Sequence, residues 1–325
     1  MSDPIKTLHL PTVLEKHGQD MTGKVVVITG TTSGTGFIAA KELAKKGAEV
    51  LLLNRKSPRA DQAFKDLSAA VPSGKFIAIP CDLQSFDSVN QGIEKILSQV
   101  DCVDVLINNA AVMALCDEAT ADGYDVQMQT NALSHFLLTK RLFPLLQKSN
   151  QGRIVNHTSM ARMGAPLDLS YFGKNGGNLG GDGTEQENGS FSGPRWERYH
   201  QTKLANFAFT YGLKTRLEQS KINNVIALSA HPGLALTSLA ATTAKDGGMD
   251  PKSELMASAQ SAEDGAAGII RAAMDPQAKS GGFYGPELWA GFPELRAPED
   301  ELISEANLEV SWKGCEAAVG AFLIQ

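Results

Sequence analysis

Six short apolar runs, KVVVIT, EVLLLN, KFIAIPC, VDVLIN, RIVNHTS and NVIALSA, recur from Lys24 onward, and each is followed by a longer amphipathic stretch. The runs are continuous rather than alternating, as suits strands covered on both faces. The segments between them are long enough for the crossover helices that parallel strands require. This rhythm predicts an α/β fold with a doubly wound parallel sheet of about seven strands and helices on both faces, forming a single domain over residues 23–325. Residues 1–22 read as a polar N-terminal extension lying over that domain. Between Met160 and Trp196 the rhythm breaks, and GKNGGNLGGDGTEQENGSFSG carries eight glycines with almost no apolar period. Glycine loses more conformational entropy on ordering than any other residue, so a Gly-rich insertion at about 160–196 reads either as a tolerated surface loop or as a functional one. A second irregular stretch at about 233–260 reads as a substrate lid.

Charge and composition narrow the partners. Thirty Lys and Arg face 36 Asp and Glu for a net charge of −6, without the clustered basic run that neutralising a phosphate backbone needs, so no nucleic-acid partner is expected. No stretch reaches the roughly 18 uncharged apolar residues of a membrane span, and the N-terminal residues lack a signal-peptide apolar block. The expected location is cytoplasmic, or an organelle stroma if a transit peptide has been removed. Cys81, Cys102, Cys116 and Cys315 show no CxxC spacing, which predicts reduced thiols and no metal site.

The chemistry begins where the first run meets its helix, at Gly30, Thr31, Thr32, Ser33, Gly34, Thr35 and Gly36. Phosphate binding needs a turn free of Cβ atoms, so that backbone N–H groups and a helix N-terminus approach a pyrophosphate closely. Placed at the first strand-to-helix junction, this turn predicts a Rossmann-type dinucleotide site. The second run ends in LLLNRK, without the carboxylate that would bind the ribose hydroxyls of NAD. Arg55 instead offers a forked cation suited to a 2′-phosphate, so the expected cofactor is NADP(H); the alternative for Arg55 is a solvated strand end.

Tyr199 and Lys203 stand four apart in a helical pattern and therefore on one face. A neighbouring ammonium stabilises phenolate, which predicts a phenol drawn from its ordinary pKa of ~10 toward neutrality, able to exchange a proton with an alcohol or carbonyl oxygen. Ser159 ends the fifth run, on the sheet edge that faces a ligand, where a hydroxyl can polarise a carbonyl.

With its TGxxxGxG turn, its Tyr199/Lys203 pair and AHPGLALTSL after the sixth run, the chain resembles the short-chain dehydrogenase/reductase family over roughly residues 22–286. The resemblance implies adenine contacts from Asp82 and Leu83, and cofactor contacts from Asn109 and Ala110. It further implies closure over the nicotinamide by Pro232, Gly233 and Thr237, and a hold on the nicotinamide ribose by Lys203. Ala111 stands where the family usually has glycine, adding a methyl group beside the cofactor path. Asn131 is the family's remaining catalytic member, expected to kink its helix and hold a relay water; the alternative is a buried amide bonded to backbone. The long spacing of Ser159 from Tyr199, the YHQTKLAN wording and the C-terminal SWKGCEAAVG are most similar to the retinol dehydrogenase, protochlorophyllide reductase and WW-domain oxidoreductase neighbourhood, which implies a bulky lipophilic substrate. The expected activity is hydride transfer between NADP(H) and a carbonyl or alcohol carbon by a monomer or homodimer. The alternatives are reduction of an activated C=C bond, a catalytically silent cofactor-binding scaffold, and an isomerase or epimerase using the cofactor transiently.

Overall fold

A computed structural model describes residues 5–183, 191–250 and 254–324. Its elements run in the order α1 (Leu10–Lys16), β1 (Val25–Thr29), α2 (Gly34–Lys45), β2 (Glu49–Asn54), α3 (Pro58–Ala70), β3 (Lys75–Pro80), α4 (Phe86–Gln99) and β4 (Val105–Asn108). There follow α5 (Val126–Met128), a π-helical turn (Gln129–Leu133), α6 (Ser134–Leu146), β5 (Gly152–His157), α7 (Pro194–Gln219), β6 (Val225–Ala230), α8 (Ser238–Lys245), α9 (Ala262–Met274), β7 (Phe283–Gly285), β8 (Glu294–Arg296) and α10 (Glu305–Val319).

The strands form one sheet in the order β3-β2-β1-β4-β5-β6-β7-β8, parallel except for the antiparallel β7–β8 pair. The six apolar runs supply β1 to β6. The two additional strands carry the sheet one beyond the expected seven and add an antiparallel edge. Alternation along the buried strands divides the interior into two cores. Val27, Leu51, Leu106 and Ile154 face α4, α6, α7 and α10, whereas Val26, Val50, Leu52, Ile107 and Val155 face α2 and α9.

The N-terminal extension contains a helix. The N–H groups of Leu8, His9 and Leu10 donate to the Asp264 carboxylate at 2.8, 2.7 and 2.9 Å, so a side chain from the first turn of α9 holds the start of α1. The C-terminal SWKGC lies on α10, where Trp312 packs under Arg216 of α7 at 3.9 Å from the ring centroid. A Cβ on Gly314 would stand 2.4 Å from the Phe172 ring, so this glycine admits Phe172 at the head of the insertion.

The insertion is docked wherever it is described. Asp117 accepts from the N–H of Gly177 at 2.8 Å and from that of Leu179, and Arg198 donates to Gly180 O at 3.1 Å. The fully buried Arg198 also pairs with the equally buried Asp125 at 2.7 Å. Residues 184–190 of the predicted insertion lie outside the described residues. The lid stretch holds regular structure, namely α8 and a 3-10 turn at 254–258, and Gln260 ties it to Pro232, Leu234 and Leu236. Among the described residues no helix is long and apolar enough to cross a membrane, and no cluster of three His, Cys, Asp or Glu could hold a metal. The four cysteines are free.

Candidate active site

A cavity of about 1050 Å³ opens at the carboxyl ends of β1, β4, β5 and β6, where a doubly wound sheet receives its ligand. Its floor is the glycine turn. Gly30 and Gly34 have φ of +73° and +58°, left-handed values that disfavour a side chain. A Cβ on Gly30 would stand 2.8 Å from Ala110 Cα, and one on Gly36 would stand 2.3 Å from Gly30 O. Asn54, at the end of β2, braces this turn by accepting from Thr31 N at 2.8 Å and donating to Thr31 Oγ1 at 2.7 Å. Ser33 precedes α2 without capping it through its side chain, which leaves the first-turn N–H groups open to an anion. Backbone this bare, at this edge of the sheet, fits the pyrophosphate of a dinucleotide.

Opposite the turn, α7 brings Tyr199 and Lys203 to the cavity wall beside Ser159. The Ser159 hydroxyl lines the same wall and accepts from Ala161 N at 3.1 Å. The Lys203 ammonium lies over the phenol ring, 5.7 Å from its centroid, and donates to His157 O at 3.1 Å. Burial pushes the phenol above its ordinary value, and the neighbouring Ser159 side chain pulls the other way. The same burial pushes the ammonium down to about 7. The sequence-based expectation of a phenol lowered toward neutrality is therefore reversed, because loss of water disfavours phenolate and ammonium alike. The Ser159 backbone is held from behind, where buried Arg162 donates to Ser159 O at 3.0 Å while paired with Glu299.

Not every expected residue reaches the wall. Asn131 occupies the π-helical turn, but its amide exchanges hydrogen bonds with Val112 N and O at 2.8 Å and donates to Thr202 Oγ1 at 3.0 Å. Its carbonyl faces His135 Nδ1 at 2.9 Å. The side chain thus links the strand of wall after β4 to the helix that carries Lys203. Asp82 and Leu83 end β3 away from the cavity wall, where Asp82 accepts from Gln84 N and Leu83 O accepts from Ser134 Oγ. Arg55 is exposed and off the wall, whereas Arg59 is on it. One Arg59 Nη2 donates to Ser33 Oγ at 2.5 Å and to Ser238 Oγ at 2.8 Å, bridging the glycine turn to α8. The four-residue offset from Arg55 to Arg59 across the start of α3 is the only signal of this in the sequence. Gly30, Thr32, Ser33, Gly34, Thr35, Asn109, Ala110, Pro232, Gly233 and Thr237 all line the cavity, as does Ala111, and Gly36 lies directly beneath the turn.

An apolar cluster occupies the part of the wall beside Tyr199. Trp196 stacks edge-on against Tyr199 at 5.8 Å, and Phe191 lies 4.7 Å from Trp196. Met249, Met256 and Ala240 close this cluster from the lid side, with Met113 and Leu234 packed against it. Phe191 and Trp196, at the C-terminal end of the insertion, thereby form part of the cavity wall.

Fold and site together define the Rossmann-type, nucleotide-binding class. A family model described as short chain dehydrogenase matches residues 24–172. Retinol dehydrogenase 13 of Mus musculus is 33% identical over 220 residues, covering 67% of this chain and 60% of that protein. The chloroplastic short-chain dehydrogenase TIC 32 A of Brassica napus is 31% identical over 228 residues, covering 69% and 67%. The crystal structure of an uncharacterized protein from Mycobacterium paratuberculosis superposes with a TM-score of 0.72 at 27% identity, covering 98% of this chain and 100% of that one. The chain belongs to the short-chain dehydrogenase/reductase family. It spans about three-fifths to two-thirds of the length of the curated relatives it matches.

Proposed function

We propose that this chain is an NADP(H)-dependent reductase of a bulky lipophilic carbonyl compound, with Tyr199 as the general acid. The observation that carries the reading is the meeting, in one cavity, of a side-chain-free anion cradle, the Ser159 hydroxyl and a phenol under a buried ammonium. A nicotinamide held at this edge of the sheet would supply the hydride. Tyr199, kept neutral by burial, holds the proton that a carbonyl oxygen needs as it gains charge, and the Ser159 hydroxyl donates to the same oxygen. Lys203 turns one N–H to His157 O, which leaves its remaining donors for the cofactor ribose and orients the ammonium over the phenol ring. Asn131 acts through Val112 and Thr202 as a positioning residue.

The cofactor preference rests on Arg59, the cation on the groove wall, and on the absence of a carboxylate at the end of β2. The substrate class rests on the Trp196, Met249 and Met256 cluster beside Tyr199, and it agrees with a relative whose own name is retinol dehydrogenase 13. The test is Tyr199→Phe, assayed by NADPH oxidation with retinal and medium-chain aldehydes. Turnover should fall by several orders of magnitude while the NADPH dissociation constant stays within a few-fold. A variant that keeps most of its rate removes Tyr199 from the chemistry.

A further inference from the structure

One polar atom in the cavity wall is left without a partner, and its chemistry is determined by its neighbours. Asn109 Nδ2 donates to Thr29 O at 2.9 Å and to Gly30 O at 3.2 Å, which fixes the amide so that Oδ1 is left to accept. That Oδ1 accepts from Thr35 Oγ1 at 2.8 Å and meets His157 Nδ1 at 3.0 Å. A carboxamide oxygen only accepts, so His157 Nδ1 carries the ring proton and Nε2 presents a lone pair. Nε2 is buried and has no hydrogen-bond partner among the described residues, although His157 forms part of the cavity wall. Burial, with Lys203 and His231 nearby, pushes the imidazole down to about 3, so Nε2 is a bare acceptor at neutral pH. A buried acceptor of this kind calls for a donor brought by a ligand.

Building on the proposed function, we infer that His157 Nε2 accepts a hydrogen bond from a hydroxyl of the nicotinamide ribose, as a cofactor contact additional to Lys203. The two are set side by side, since the Lys203 ammonium already rests on the backbone carbonyl of His157 at 3.1 Å. The chain Thr35–Asn109–His157 then joins the pyrophosphate end of the cofactor site, at the glycine turn, to its nicotinamide-riboside end. A neutral acceptor beside a cationic donor suits a diol, which can donate to one and accept from the other.

The inference is tested by calorimetric binding, independent of turnover, to three ligands. NADP+ carries the whole nicotinamide riboside, 2′-phospho-ADP-ribose keeps the ribose without the nicotinamide, and 2′,5′-ADP lacks both. His157→Val should weaken NADP+ and 2′-phospho-ADP-ribose by about five- to tenfold, the worth of one hydrogen bond to a buried acceptor, and leave 2′,5′-ADP within twofold. His157→Gln, which keeps an acceptor, should recover part of the loss. On the wild-type protein, the Nε2 resonance of 15N-labelled His157 should move upfield when 2′-phospho-ADP-ribose binds and stay in place with 2′,5′-ADP, a measurement that needs no variant. Equal losses for all three ligands, no loss for any, or a loss confined to NADP+ overturns the ribose contact. Failure of the wild-type chain to bind NADP+ at all overturns the cofactor reading itself, a result distinct from the other three.

Discussion

Lowering the pH from 7.5 to 5 should remove much of this protein's stability, well before its carboxylates titrate in bulk. His135, His157 and His231 are buried, and burial holds them at about 4, 3 and 3. In the unfolded chain each returns to 6.5. The folded values lie below the unfolded one, so between pH 6.5 and about 4 the unfolded state binds more protons and stability falls as pH falls. At pH 5 each histidine costs about 2 kcal/mol and the three together about 6, against a typical total of roughly 5–15 kcal/mol. The local slope approaches three protons, on the order of 4 kcal/mol per pH unit. Urea unfolding followed by circular dichroism at pH 7.5, 6.5, 5.5 and 5.0 measures it directly, with a constant m-value as the check that the transition stays two-state. His135→Gln should remove about a third of the slope, since glutamine does not titrate. Stability that stays flat between pH 7.5 and 5 would mean that these rings are charged in the folded state and would refute the argument.

Two further perturbations separate cofactor selection from scaffold stability. Arg59→Ala should weaken NADPH by about tenfold or more and NADH far less, because a charge-assisted bond to the 2′-phosphate is lost, while Arg55→Ala should have the smaller effect on the NADPH-to-NADH ratio; equal losses of both cofactors in the Arg59 variant would deny it the phosphate. Asp125→Asn should strand the buried Arg198 guanidinium and cost about 3–5 kcal/mol, read as a fall in thermal unfolding temperature of roughly 10 °C, and an unchanged midpoint would show that Gly180 O and Leu115 O alone hold that charge.

What the sequence reveals and what it hides differ by a physical criterion. Strands β1 to β6 are legible because a sheet covered on both faces forces long apolar runs. Strands β7 and β8 are not, since three residues such as Glu294–Arg296 on an exposed edge bury too little to leave a pattern. Tyr199, Lys203 and Ser159 are legible because their spacing follows from a helix period and a strand end. Arg59 escapes because the choice between two cations four residues apart depends on which of them the first turn of α3 swings over the glycine turn. His157 escapes because its ring proton is assigned by Asn109, on the neighbouring strand end, and by the carbonyls that orient Asn109 in turn.

The sign of the Tyr199 shift is hidden from the sequence for a related reason. A charge partner one helical turn away is visible in sequence, but the removal of water from both groups is a property of the packed cavity. With Tyr199 buried in the cluster that holds Trp196, Met249 and Met256, desolvation is the largest influence on the phenol and raises it. A phenol so buried holds its proton at neutral pH, as the general-acid role proposed for Tyr199 requires.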